Sequence, residues 1–202
     1  MKAIRYKVHF PILALAAIIY WLLQNVDFAV RALGLNVFDY ILMGVLHSAS
    51  IVISLRVRKA TFPVTAPSFI VLAAVWSAAT PILALSSIVA SGSLLDKAFH
   101  IEGLSYTFAF LVGSAIGSAG YWLLVRLFWV KALRPADCFK TVALCVAATL
   151  VSYGVGMLDQ RGDTGFTSTL FTVAWWLAFS GSLYWAEIRG CATKTAVVPN
   201  IS

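Results

Sequence analysis

Charge is scarce in this sequence. Charged side chains make up 11% of its 202 residues, against about a quarter in an ordinary soluble domain. Acidic residues are the rarer kind, eight against fifteen Lys and Arg. Apolar residues stand at 61%, more than the interior of a soluble fold of this length can hide. Lipid is the solvent that accommodates them. The net charge of +7 comes in short clusters between apolar runs. It does not form the stripe with interleaved aromatics that would neutralise phosphates, so nucleic acid is excluded as a partner.

Cysteine is also sparse: Cys138, Cys145 and Cys191, an odd number with no CxxC pair. A closed disulfide framework is therefore excluded, and free thiols are expected. The chain has no GxSxG, no HExxH, no P-loop and no spaced carboxylate set. Without these, neither nucleophilic nor metal-assisted chemistry has its usual groups. The expectation is a non-enzymatic protein with no cofactor and no metal site. Strand alternation is missing too, which argues against a barrel.

Long apolar runs take the place of these features. Crossing about 30 Å of hydrocarbon at 1.5 Å per residue takes about twenty residues. Six stretches qualify: Tyr6–Leu23, Asn36–Leu55, Ala66–Ala90, Tyr106–Val130, Phe139–Leu158 and Phe166–Ile188. Backbone amides in lipid must be bonded within their own segment, so these stretches should be helices. The predicted fold is an all-α integral membrane protein, a polytopic bundle of about six transmembrane helices. Residues 1–190 form its single domain, and the polar tail from Cys191 to Ser202 is expected to be disordered. The first stretch, behind Lys2, Arg5 and Lys7, imitates a signal peptide with Ala14-Leu15-Ala16 as cleavage site. Bulky Ile18, Ile19, Trp21 and Leu22 beyond that point mark it instead as an uncleaved span.

Basic residues beside a span resist translocation and so set orientation. Lys2, Arg5, Lys7, Arg56, Arg58, Lys59, Arg126, Lys131, Arg134, Lys140, Arg189 and Lys194 fall on one side, and only Arg31, Lys97 and Arg161 on the other. Both termini are thus expected in the cytoplasm, of a bacterial inner membrane. Local signals fit this layout. Asp137, after Arg134-Pro135-Ala136, offers an N-cap, and Pro11 and Pro67 are expected in first turns. Trp21, Trp129 and Trp185 sit near span ends. The segments Gln24–Leu35 and Ser91–Ser105 are amphipathic enough to lie on the surface.

Several residues could carry function. Gly113 and Gly117 form a GxxxG that Gly120 extends, and Ala148, Ser152 and Gly156 make a similar stripe, with a shorter one at Gly44 and Ser48. Small faces let helix backbones approach closely. They suit packing within the chain, with the fourth and fifth spans together, an oligomer contact or the lining of a pore. Pro81, after Thr80, removes a backbone bond to Ser77 and should kink the third span. His47 reads as the one histidine deep in a span. An ionisable group at such depth is a functional candidate, against the plainer reading of a packed imidazole bonded to Ser48, Ser50 or a carbonyl. Trp76, Trp175 and Trp176 lie mid-span, as cavity lining or as dense packing. Asp96, His100, Glu102, Asp159 and Asp163 could form an acidic vestibule for cations or a weak metal site, though solvated loop charge is the commoner meaning. Arg56, Arg58, Lys59, Lys131 and Arg134 make a basic cytoplasmic face suited to a protein partner.

The functional expectation is a multispan scaffold or sensor subunit in the lipid bilayer. It would be homo-oligomeric and act with a separately encoded partner, as in a bacterial stress or antiviral system. A passive channel or transporter for a small solute is the alternative, and a lipid-modifying enzyme a remote third.

Overall fold

The computed structural model describes residues 6–25, 37–54, 62–99, 104–129, 133–158 and 164–195. Within them the chain is all-helical: α1 Tyr6–Asn25, α2 Val37–Ser54, α3 Phe62–Phe99, α4 Leu104–Phe128, α5 Pro135–Leu158 and α6 Thr164–Thr195. Three helices hold stretches long and apolar enough to cross a membrane: Thr65–Ala84, Thr107–Phe128 and Pro135–Val155. Shorter apolar stretches lie in α1 and α2, at His9–Leu23 and Tyr40–Ser54. The six helices coincide with the six stretches read from the sequence, with differences at their ends.

Those differences have local causes. α3 runs on to Phe99 and takes in part of the segment expected on the membrane surface. α6 continues to Thr195, past Cys191 where the tail was expected to begin. Because α1 starts at Tyr6 and α3 at Phe62, Pro11 and Pro67 lie beyond the first turn, not in it. α5 begins four residues early at Pro135, a residue whose fixed φ suits the first helical position. Asp137 is therefore not the N-cap. It sits two residues further in, where its Oδ2 accepts the Arg134 backbone N–H at 3.0 Å, the reach-back half of a capping box.

Each helix packs against its neighbour in sequence, and α1 also packs against α6, so the six form a closed ring. Within the ring, α2, α4 and α6 turn large rings toward one another. His47 of α2 meets Tyr121 of α4 and Trp175, Trp176 and Phe179 of α6. α1, α3 and α5 lie further out. Only 22% of the apolar stretch in α3 and in α5 is buried, against 44% in α4.

The core is apolar, with Phe69, Val125, Trp176 and Phe179 fully buried, but it shares its space with many hydroxyls, and the outer face is apolar as well. Large apolar side chains face outward, among them Val151 at 68%, Ile82 at 61%, Ile53 at 61% and Val75 at 59% exposure. The side chains turned inward include His9, His47, Ser48, Ser50, Ser54, Ser77, Ser114, Ser118, Thr141, Thr149, Thr172 and Ser180. In water this arrangement would forfeit the hydrophobic driving force. In lipid the outward residues lose nothing, and the inward hydroxyls gain hydrogen-bond partners.

Candidate functional site

The residues singled out in the sequence fall in two places. The first is the contact between α3 and α4. A Cβ on Gly113 would lie 3.1 Å from the Ala84 Cβ, and one on Gly117 3.2 Å from the Thr80 Cγ2. On Gly120 it would overlap the Trp76 indole. Trp76 fills the notch left by these glycines and donates its Nε1–H to the Gly117 carbonyl at 3.1 Å. The small-residue face of α4 thus receives α3 of the same chain. It is not the face that meets α5. Thr80, beside Pro81, turns its hydroxyl back to the Trp76 carbonyl at 2.8 Å, next to the backbone carbonyl that proline leaves unbonded. Gly44 plays the same part between α2 and α3, where a Cβ would stand 2.9 Å from the Ala73 carbonyl oxygen.

α5 meets α4 through hydroxyls. Thr149 Oγ1 lies 2.8 Å from Ser114 Oγ, and Cys145 hydrogen-bonds Ser118. Ser152 is buried and donates to the Ala148 carbonyl at 2.8 Å. Gly156 lies in α5, and nothing is described of its surroundings.

The second place is the centre of the ring. His47 is 1% exposed. Its imidazole is sandwiched between Tyr121, at 5.0 Å, and Trp176, at 5.4 Å and nearly parallel. Trp175 and Phe179 close the sides with T-shaped contacts at 5.8 and 5.5 Å. Neither ring nitrogen has a hydrogen-bond partner, and neither does Trp176 Nε1. The expected ring bonds to Ser48 or Ser50 are not made. Ser50 Oγ donates to the His47 backbone carbonyl at 2.7 Å, while Ser48 donates to the Val45 carbonyl at 3.0 Å and hydrogen-bonds Tyr121. A buried polar group without a partner costs about 1–3 kcal/mol, so this cage holds its histidine at a loss.

His9 was not anticipated from the sequence. It lies in the first turn of α1, is 1% exposed, and ties three helices together. Nδ1 is 2.9 Å from Ser54 Oγ of α2, and Nε2 is 2.9 Å from Ser180 Oγ of α6. The Ser54 hydroxyl proton is committed to the Ser50 carbonyl. Ser54 Oγ must therefore accept from His9 Nδ1–H, which leaves Nε2 to accept the Ser180 O–H. One short polar line thus runs along α2 from Ser54 through Ser50 to His47. The available signal was the spacing of Ser50 and Ser54, which puts both on the His47 side of α2. His9 itself gave none, being two residues from Lys7 at the start of a span.

Of the basic face, Arg134 is exposed at the entry to α5. Arg56, Arg58, Lys59 and Lys131 lie outside the described residues, as do His100, Glu102, Asp159 and Asp163 of the acidic group. At the same end as Arg134, Lys140 stands over the Trp185 ring at 4.6 Å and Arg126 over Trp122 at 5.4 Å. This pairing of cation and aromatic belongs at a membrane–water boundary. No group of three or more His, Cys, Asp or Glu that could hold a metal ion occurs among the described residues. Comparison with family models, with curated proteins and with solved structures finds no match to this chain.

Proposed function

We propose that the protein is a six-span scaffold or sensor subunit of a bacterial inner membrane, with both termini in the cytoplasm. It performs no catalysis and works through a separately encoded partner at its basic end. The observation that favours this over a solute path is the ring-on-ring packing of Tyr121, His47 and Trp176, closed at the sides by Trp175 and Phe179. A passive pore needs a continuous polar lumen, and this block of rings fills the centre of the helix ring instead. The alternative of a small-solute channel draws its support from the polar line Ser54–Ser50–His47, which reaches the block from one end only. Self-association stays part of the proposal. With the α4 glycines occupied by α3, it would use the lipid-facing sides of α1, α3 or α5.

The test is the detergent-solubilised mass of the protein from its native host, alongside solute flux in liposomes. The reading expects a homo-oligomer carrying a soluble partner that is lost on Arg134→Glu with Lys140→Glu, and no flux. A partnerless monomer, or a flux abolished by His47→Ala, overturns it. Orientation is tested by alkaline phosphatase fusions. The enzyme should be inactive after Lys59 and active after Asp159, and the reverse pattern contradicts the proposed topology.

A further inference from the structure

Five of the six junctions in the helix ring join helices that are consecutive in the chain. The sixth, between α1 and α6, joins helices far apart in sequence. It is the one place where the ring can part without separating helices that a short connection holds together. Two of the contacts across it bear on the centre of the ring. Near one end the Ser180 O–H is bonded to His9 Nε2. About three turns of α1 further on, the Tyr20 ring lies 6.0 Å from Trp176. Directly behind Trp176 sits the stacked His47 ring, and the nitrogens of both have no hydrogen-bond partner.

The closed ring therefore carries an unmet polar demand immediately inside its seam, and a removable hydrogen bond across it. We infer that the α1–α6 junction is a latch: α1 is the moving part and His9 its fastener, and parting the seam at the His9 end lets water enter from the membrane surface toward the unbonded nitrogens of Trp176 and His47. This inference goes beyond the scaffold-or-sensor reading and does not depend on it. A channel or a sensor could use the same device. Ser54 remains bonded to His9 from the α2 side, so α1 pivots on α2 when the Ser180 bond is lost. The ring nitrogens thus divide the work, Nδ1 as hinge pin and Nε2 as catch.

The experiment is a double electron–electron resonance distance measurement in lipid nanodiscs on the full chain. Cys138, Cys145 and Cys191 are replaced by serine, and nitroxides are placed at Leu15 of α1 and Leu177 of α6, both lipid-facing. A reference pair at Val75 and Leu127, exposed on α3 and α4, reports general loosening. The unaltered seam should give a dominant short distance with a minor longer one. Ser180→Ala should raise the longer population at least threefold, and so should His9→Asn, whose amide reaches only the Nδ1 position. His9→Gln, which reaches the Nε2 position, should keep the short distance, and the reference pair should not move in any variant. A single unchanged distance throughout overturns the latch, as does lengthening of the reference pair together with the seam.

Discussion

The two buried histidines illustrate how much the partner, and not the depth, decides what a polar residue does. His9 has a hydroxyl on each ring nitrogen, while His47 has four rings around it and no hydrogen bond to its own ring. Substitution by a ring of similar shape should therefore act in opposite directions. His9→Phe removes two interhelical bonds and leaves the Ser180 hydroxyl without its acceptor on α1, a loss of about 1–3 kcal/mol. His47→Phe removes two unmet nitrogens while keeping the stacking, and should be neutral or stabilising by up to about 2 kcal/mol. Thermal unfolding in detergent of the two variants beside the parent checks the sign. A third change at this scale concerns Gly120, where any side chain meets the Trp76 indole. Gly120→Val should destabilise by about 1–3 kcal/mol, and Trp76→Leu in the same chain should recover part of that loss. Failure of the double variant to recover anything would mean that the notch is not where the strain arises.

At the scale of the helix, much was legible and the remainder was hidden for a physical reason. Existence and approximate extent of the six helices followed from apolar runs, because lipid leaves the backbone no other way to bond. Helix ends were less readable. The start of α5 at Pro135 depends on Asp137 reaching back to the Arg134 N–H, a bond that two spacings of the same residues could have supplied. Asp137→Ala should cost α5 about 1 kcal/mol, seen as earlier melting with an unchanged helical signal at low temperature. Pairing was least readable. The glycines at Gly113, Gly117 and Gly120 marked a smooth face correctly, but nothing in a smooth face names its partner. Between helices in lipid no hydrophobic effect ranks the possibilities. The partner proved to be α3, because Trp76 offers both the bulk that fills the notch and the N–H that bonds the Gly117 carbonyl. α4 and α5 do meet, as expected, yet through Ser114, Ser118, Cys145 and Thr149. His9 shows no sign of its depth in the sequence, because it stands at the very start of the apolar run. The ring closure that buries it joins residues 45 and 171 positions away.

For the whole molecule, the ordering of surfaces explains the composition with which the sequence began. Serines, threonines and two histidines face inward within an apolar core, most of the hydroxyls bonded to carbonyls of their own helices, while many valines, leucines and isoleucines face outward. Only a solvent without hydrogen bonds makes that division favourable. Val75 puts it to the sharpest test. It lies near the middle of the apolar stretch Thr65–Ala84 and is 59% exposed. In a water-soluble protein an arginine there would be tolerated, since exposed substitutions change stability by at most about 0.5 kcal/mol. At the centre of a membrane helix it costs about 2.5–3.5 kcal/mol on insertion scales. The decisive measurement is the fraction of protein that stays with the membrane through an alkaline carbonate wash, for the parent chain and for Val75→Arg. Lipid as the solvent predicts a parent that remains wholly in the pellet and a variant with a clearly reduced share there. A parent released into the supernatant, or a variant indistinguishable from it at every level of expression, would contradict the account.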